Sequence, residues 1–137
     1  MEVKELLGLD VGQKHIGVAR ASNIAALAEP LTTVANTSDL QQLHQIIKEN
    51  KSDIIVVGLP RSLDGNDTAQ TAWVREWVVK AKDIFDQDFY FQDEALTSKV
   101  AQLHKLSAKD PVDEHAMAAA IILQDYLDTP EADRTAA

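Results

Sequence analysis

Three acids in this chain occupy one kind of position. Asp10 closes an apolar strand, Glu94 closes the short strand Phe89 to Gln92, and Asp113 opens the last helical stretch. A lone ionised carboxylate among apolar side chains costs several kcal/mol unless it is paired or holds a metal. Asp10 therefore lies at an exposed strand end, pairs with a cation, or binds a metal. Carboxylate oxygens suit Mg²⁺ or Mn²⁺, hard ions that keep several waters for a substrate phosphate to displace. Two such ions about 3.5–4 Å apart activate a water and neutralise the leaving oxygen in phosphodiester cleavage. Each acid also has a plainer role. Asp10 can order the turn at Gly12, Glu94 can be a solvated loop acid, and Asp113 can favour a helix dipole behind an Asp110 cap and Pro111.

Glycines and cations supply a second set of candidates. Gly12 and Gly17 let the backbone approach a ligand, and N–H groups of a hairpin turn can point at a phosphate. Lys14 and His15 lie in that turn, Arg61 follows the central strand, and Lys99 falls early in a third helix. All four are expected phosphate contacts, although taken singly such groups are more often solvated surface charges. The four histidines share no metal-ligand spacing, and His115 lies two residues from Asp113. The chain has no Gly-x-Ser-x-Gly elbow, no Walker A loop and no Gly-x-Gly-x-x-Gly. Nucleophilic-serine, P-loop and dinucleotide chemistries are therefore disfavoured. Trp73 and Trp77, one helical turn apart, read as packing anchors rather than stacking platforms.

The elements that must hold these groups follow from periodicity. Glu5 to Val11 and Ile16 to Ala21 read as a hairpin, and Ala25 to Val34 as a third strand disturbed by Pro30. Ser38 and Gln41 predict a capping box for a helix whose buried stripe is Leu40, Leu43, Ile46 and Ile47. Asp53 to Gly58 is a β-branched run typical of a strand covered on both faces. Asp67 and Gln70 predict the cap of a second helix, and Thr97 that of a third carrying Val100, Leu103 and His104. The last helix follows Asp110-Pro111. Strands first, then strand–helix alternation, give an α/β fold with a mixed sheet and helices on both faces. Residues 1–128 form one domain, and 129–137 read as a disordered acidic tail.

Bulk composition narrows the function classes. Thirteen basic residues against 22 acidic give a net charge of −9, the wrong sign for generic nucleic-acid affinity. Binding a polynucleotide would need a local cationic patch or bound divalent metal. No apolar run approaches the roughly 20 residues of a membrane span, and no basic-then-apolar leader opens the chain. The absence of cysteine excludes thiolate sites and fits a cytoplasmic protein.

Four blocks carry a resemblance. Gly8 to Ala19, Val57-Gly58-Leu59-Pro60 with Leu63-Asp64-Gly65, Asp93 to Ser98, and Val112-Asp113 leading into Ala118 to Leu127 together resemble the YqgF (RuvX-like) family. Its members are described as candidate Holliday-junction resolvases and pre-16S rRNA nucleases. The likeness implies an RNase H-like fold, a five-stranded mixed sheet flanked by helices, with a carboxylate cluster binding divalent metal. By position it implies that Asp10, Glu94 and Asp113 form that cluster, catalytic and metal-binding. The implied partners are structured RNA, branched DNA or ribosomal precursor particles, and the implied state is a monomer or a homodimer. The chain departs from the family pattern at Ala95, where arginine is usual, and at Lys14-His15, where a basic pair is usual. It departs again at Glu114-His115, where small residues are usual.

Overall fold

The computed structural model describes residues 2–62, 64–95 and 111–137, with 95 and 111–113 described by backbone alone. The opening hairpin is formed by β1 (Glu5–Val11) and β2 (His15–Ser22), paired antiparallel so that Asp10 faces Gly17. The edge strand β3 (Glu29–Ala35) joins β2, and its register shifts at Val18/Ala19, where Ala19 partners Pro30. Proline donates no ladder bond, so an edge strand is where it can sit. This strand starts later than the expected Ala25, because Ser22 to Ala26 forms a turn that ends with Ala26 at φ 52°.

Two parallel strands follow, β4 (Ile54–Arg61) beside β1, and β5 (Asp88–Ala95) beside β4. They are connected by α2 (Ala69–Ile84), while α1 (Gln41–Asn50) links β3 to β4. The expected caps are displaced. Helix α1 begins after Leu40 in the left-handed region, and Asp39 rather than Ser38 accepts from the Gln41 N–H. In α2 the capping box is Thr68 with Thr71, not Asp67 with Gln70. Asp67 is drawn instead to Arg61 and Arg75. The last helix, α3 (Pro111–Asp128), starts at the expected proline. The third helix expected from Thr97 lies outside the described residues.

The tail is the main departure. Residues 129–137 are not a disordered extension: a short 3-10 turn at Glu131–Asp133 leads into β6 (Thr135–Ala136), antiparallel to β5. The Ala137 N–H donates to the Phe89 carbonyl, and the Arg134 guanidinium lies 4.4 Å from the Tyr126 ring centroid. Small, charged composition concealed a structural demand, since the outer edge of β5 has backbone groups that need partners. The mixed sheet therefore has six strands rather than five, in the order β3-β2-β1-β4-β5-β6.

Strand alternation divides the molecule into two layers around this sheet. Leu7, Leu9, Val11, Ile55, Val57 and Leu59 point to α1 and α2, where Leu43, Val74 and Trp77 close one core. Leu6, Ala19, Ala21 and Val56 point the other way, against Ile122, Leu123 and Tyr126 of α3. Among the described residues no helix is long and apolar enough to cross a membrane.

Candidate active site

The site is set by how closely α3 lies on the sheet. A Cβ added at Gly17 would stand 1.9 Å from the His115 carbonyl oxygen. One at Gly8 would meet the Leu123 Cβ at 2.6 Å and the Ala119 carbonyl at 2.8 Å. One at Gly58 would meet Ile122 at 2.5 Å and the Glu94 carboxylate at 3.0 Å. Three strands thus present glycine where the helix crosses them, and its backbone rests almost on theirs. Gly17 was expected to admit a ligand; it admits the helix instead. The signal was present in the period-two alternation of small and large residues, Gly17-Ala19-Ala21 against Ile16-Val18. Gly8 entered the sequence reading within a motif block and Gly58 also as the end of the central strand, and neither was read as a seat for the helix.

This seating brings two of the three acids together. Asp10 ends the α3 face of β1, and Glu94 ends the same face of β5. The strand between them carries Gly58, whose missing side chain leaves room for the Glu94 carboxylate to lean over β4. The Glu94 carboxyl is pushed up to about 8, first by burial, then by the negative charges of Asp10 and Asp125. Asp125 contributes here although only its charge, not its place, could be read from the sequence. The Asp10 side chain is 29% exposed, and the His115 Nδ1 stands 3.9 Å from its Oδ2. The His115 ring stacks in turn on His15, centroids 5.9 Å apart.

Asp113 lies in the first turn of α3, two residues before the carbonyl that rests on Gly17, and it is placed by backbone only. Among the described residues no group of three possible ligands stands complete. The donor set that is described nevertheless suits a hard cation. Two carboxylates converge at one end of the sheet, and the half-buried Glu94 is pushed toward its protonated form first by burial and then by the charge of Asp10. Among the described residues no lysine or arginine pairs with Glu94. A divalent ion would relieve that repulsion.

The expected phosphate contacts fare unequally. The Gly12 N–H donates to the His15 carbonyl, and the Gly12 carbonyl accepts from the Asn36 side chain. Gly12 is therefore consumed by its own turn and has no N–H left for a phosphate, which corrects that expectation. Lys14 and His15 are exposed on the turn beside the acids. Arg61 is on the wrong side: it follows Leu59 on the α1/α2 face, with Nε 3.3 Å from Asp67 and Nη1 3.5 Å from Asp93. Its ion pairs direct it to Asp67 and Asp93 rather than toward Asp10. Lys99 lies outside the described residues. A residue not anticipated is Asn36, whose Oδ1 accepts from the Trp77 indole while its Nδ2 holds Gly12. It ties the turn after Asp10 to helix α2.

Known proteins resemble this chain in sequence and in fold. The RuvX family, described as Holliday junction resolvase, matches residues 4–129. A protein of Rippkaea orientalis, named as a candidate pre-16S rRNA nuclease, is 39% identical over 94% of this chain and 99% of its own length. One from Pseudomonas fluorescens, named alike, is 37% identical over 93% and 94%. Among solved structures, Thermus thermophilus RuvC in complex with a Holliday junction substrate matches with a TM-score of 0.58 at 14% identity, covering 97% of this chain and 99% of that one. At that identity the likeness is one of fold, the RNase H-like sheet.

Proposed function

The chain belongs to the RuvX family of nucleases, and from that premise we propose that it is a metal-dependent endonuclease acting on structured RNA. The reading takes the 5′ end of pre-16S rRNA in cytoplasmic ribosome biogenesis as the substrate. The observation that carries it is the convergence of Asp10 and Glu94 over Gly58. Asp10, Glu94 and Asp113 would hold Mg²⁺ or Mn²⁺, which when bound supplies an activated water and neutralises the leaving oxygen. Glu94 would serve as a ligand only in its ionised form, and a cation there would offset the burial and the Asp10 charge that raise its carboxyl. Lys14 and His15 orient the phosphate backbone from the turn, and α3 shields the acids from solvent on one side.

A second reading is favoured by the fold shared with RuvC bound to a Holliday junction. Cutting a four-way junction on paired strands needs a symmetric dimer, whereas RNA maturation is open to a monomer. Purified protein should be offered a pre-16S rRNA fragment and a four-way DNA junction in parallel, with and without chelator, as wild type and Asp10→Asn. The expected result is chelator-sensitive cutting of the RNA that Asp10→Asn abolishes. Cutting of the junction alone would replace this reading with the second. Cutting that survives both chelator and Asp10→Asn would remove the metal site from the mechanism.

A further inference from the structure

The sheet end that carries Asp10 has a second feature on its opposite face. A cavity of about 310 Å³ opens between the hairpin turn and α2, within the size range of small-ligand sites. Its wall includes Gln13, Asn36, Thr37, Trp73, Trp77 and Lys80, with the exposed Glu76 carboxylate beside Lys80 on α2. Trp77 is nearly buried and its indole is fixed on Asn36. Trp73, half-buried, offers ring surface that the core does not cover, while Thr37 and Lys80 are exposed at the rim. Gln13 belongs both to this wall and to the turn that follows Asp10.

Aromatic wall, amide and hydroxyl groups and a rim ammonium are the groups that receive a base and its phosphate. Resting on the nuclease reading, we propose that this cavity binds one unpaired nucleobase of the substrate, stacked on Trp73, with Lys80 toward its phosphate. A strand at Asp10 reaches the cavity by crossing the hairpin turn, and only an unpaired nucleotide can enter it. The preferred substrate therefore carries a single-stranded flank beside the cleaved bond. Stacking also suits a chain of net charge −9, because it attracts nucleic acid without cationic surface.

Both tryptophans of the protein line this cavity, so tryptophan emission, excited beyond the absorption of Tyr90 and Tyr126, reports on it. Adenosine and cytidine monophosphates should quench that fluorescence in chelator, and ribose 5-phosphate should not. Equal quenching by ribose 5-phosphate, or none by any of them, overturns the proposal. Binding is then compared for an RNA duplex with a single-stranded flank and the same duplex with blunt ends, using the Asp10→Asn protein in chelator. The flanked form should bind about tenfold tighter, Trp73→Ala should erase that preference, and Trp73→Phe should keep most of it. Equal binding of the two duplexes, or a preference unchanged in Trp73→Ala, sinks the site. Flank preference without any Asp10-dependent cutting leaves the cavity standing and sinks the nuclease reading, and the reverse pattern does the opposite.

Discussion

The two faces of the sheet solve opposite problems. Under α1 and α2 the strands present leucine, isoleucine and valine, and the layer is held by the volume of buried aliphatic groups. Under α3 they present Gly8, Gly17, Gly58, Ala19 and Ala21, and the layer is held by how near the helix can come. The first face buys stability with bulk; the second gives up bulk so that the acids at the sheet end lie beneath a helix N-terminal turn. The difference separates residues that keep the molecule folded from residues that give it a site.

Matched substitutions test that separation. Leu9→Ala removes a fully buried side chain from the bulky face, with an expected loss of about 2–5 kcal/mol in denaturant unfolding. Cleavage per folded molecule should be retained. Gly17→Ala pushes against the His115 carbonyl and should cost about 1–3 kcal/mol. It should also cut cleavage per folded molecule sharply, because α3 must lift. Equal specific activity in the two variants would break the comparison.

Glu94 extends the test to pH. Burial and the charges of Asp10 and Asp125 push its carboxyl up to about 8 in the folded chain, from the 4.5 of an ordinary glutamate. Between those values the folded state keeps a proton that the unfolded state has lost, so metal-free stability falls as pH rises through this window. Glu94→Gln should flatten the fall, leaving the metal-free variant more stable than wild type at pH 8, and should remove the rise in melting temperature on adding Mn²⁺. A variant with the same slope as wild type would mean that burial of Glu94 is not what sets it. The smallest expected effect belongs to Arg61→Ala. Its ion pairs with Asp67 and Asp93 are partly exposed and worth about 0–1 kcal/mol, and cleavage should be unchanged. A large loss of activity would return Arg61 to the substrate and cross the boundary between the faces.

Much of this was legible in the residues because strands and helices declare themselves by local period. The hairpin around Asp10, the central strand and the start of α3 at Pro111 all follow from apolar spacing and turn chemistry. The caps were displaced by a few residues because several hydroxyl and carboxyl groups compete at each helix start, and Arg61 decided against Asp67. Nothing local to Thr135–Ala136 says strand; the demand comes from the open edge of β5, far back in the chain. The meeting of Asp10 with Glu94 was implied by family resemblance, but the reason they can meet is a missing side chain on the strand between them.

The glycine seat of α3 also bears on the order in which the chain assembles. The helix lies far along the chain from β1 and β2, which it covers, whereas α1 and α2 directly flank β4 in sequence. Contacts of long sequence separation are expected to form later, leaving that face uncovered for longer. Exposed aliphatic strands are what make partly folded chains associate. With Gly8, Gly17, Gly58, Ala19 and Ala21 set among Leu6 and Val56, the face under α3 presents less of that area than the aliphatic one while it waits.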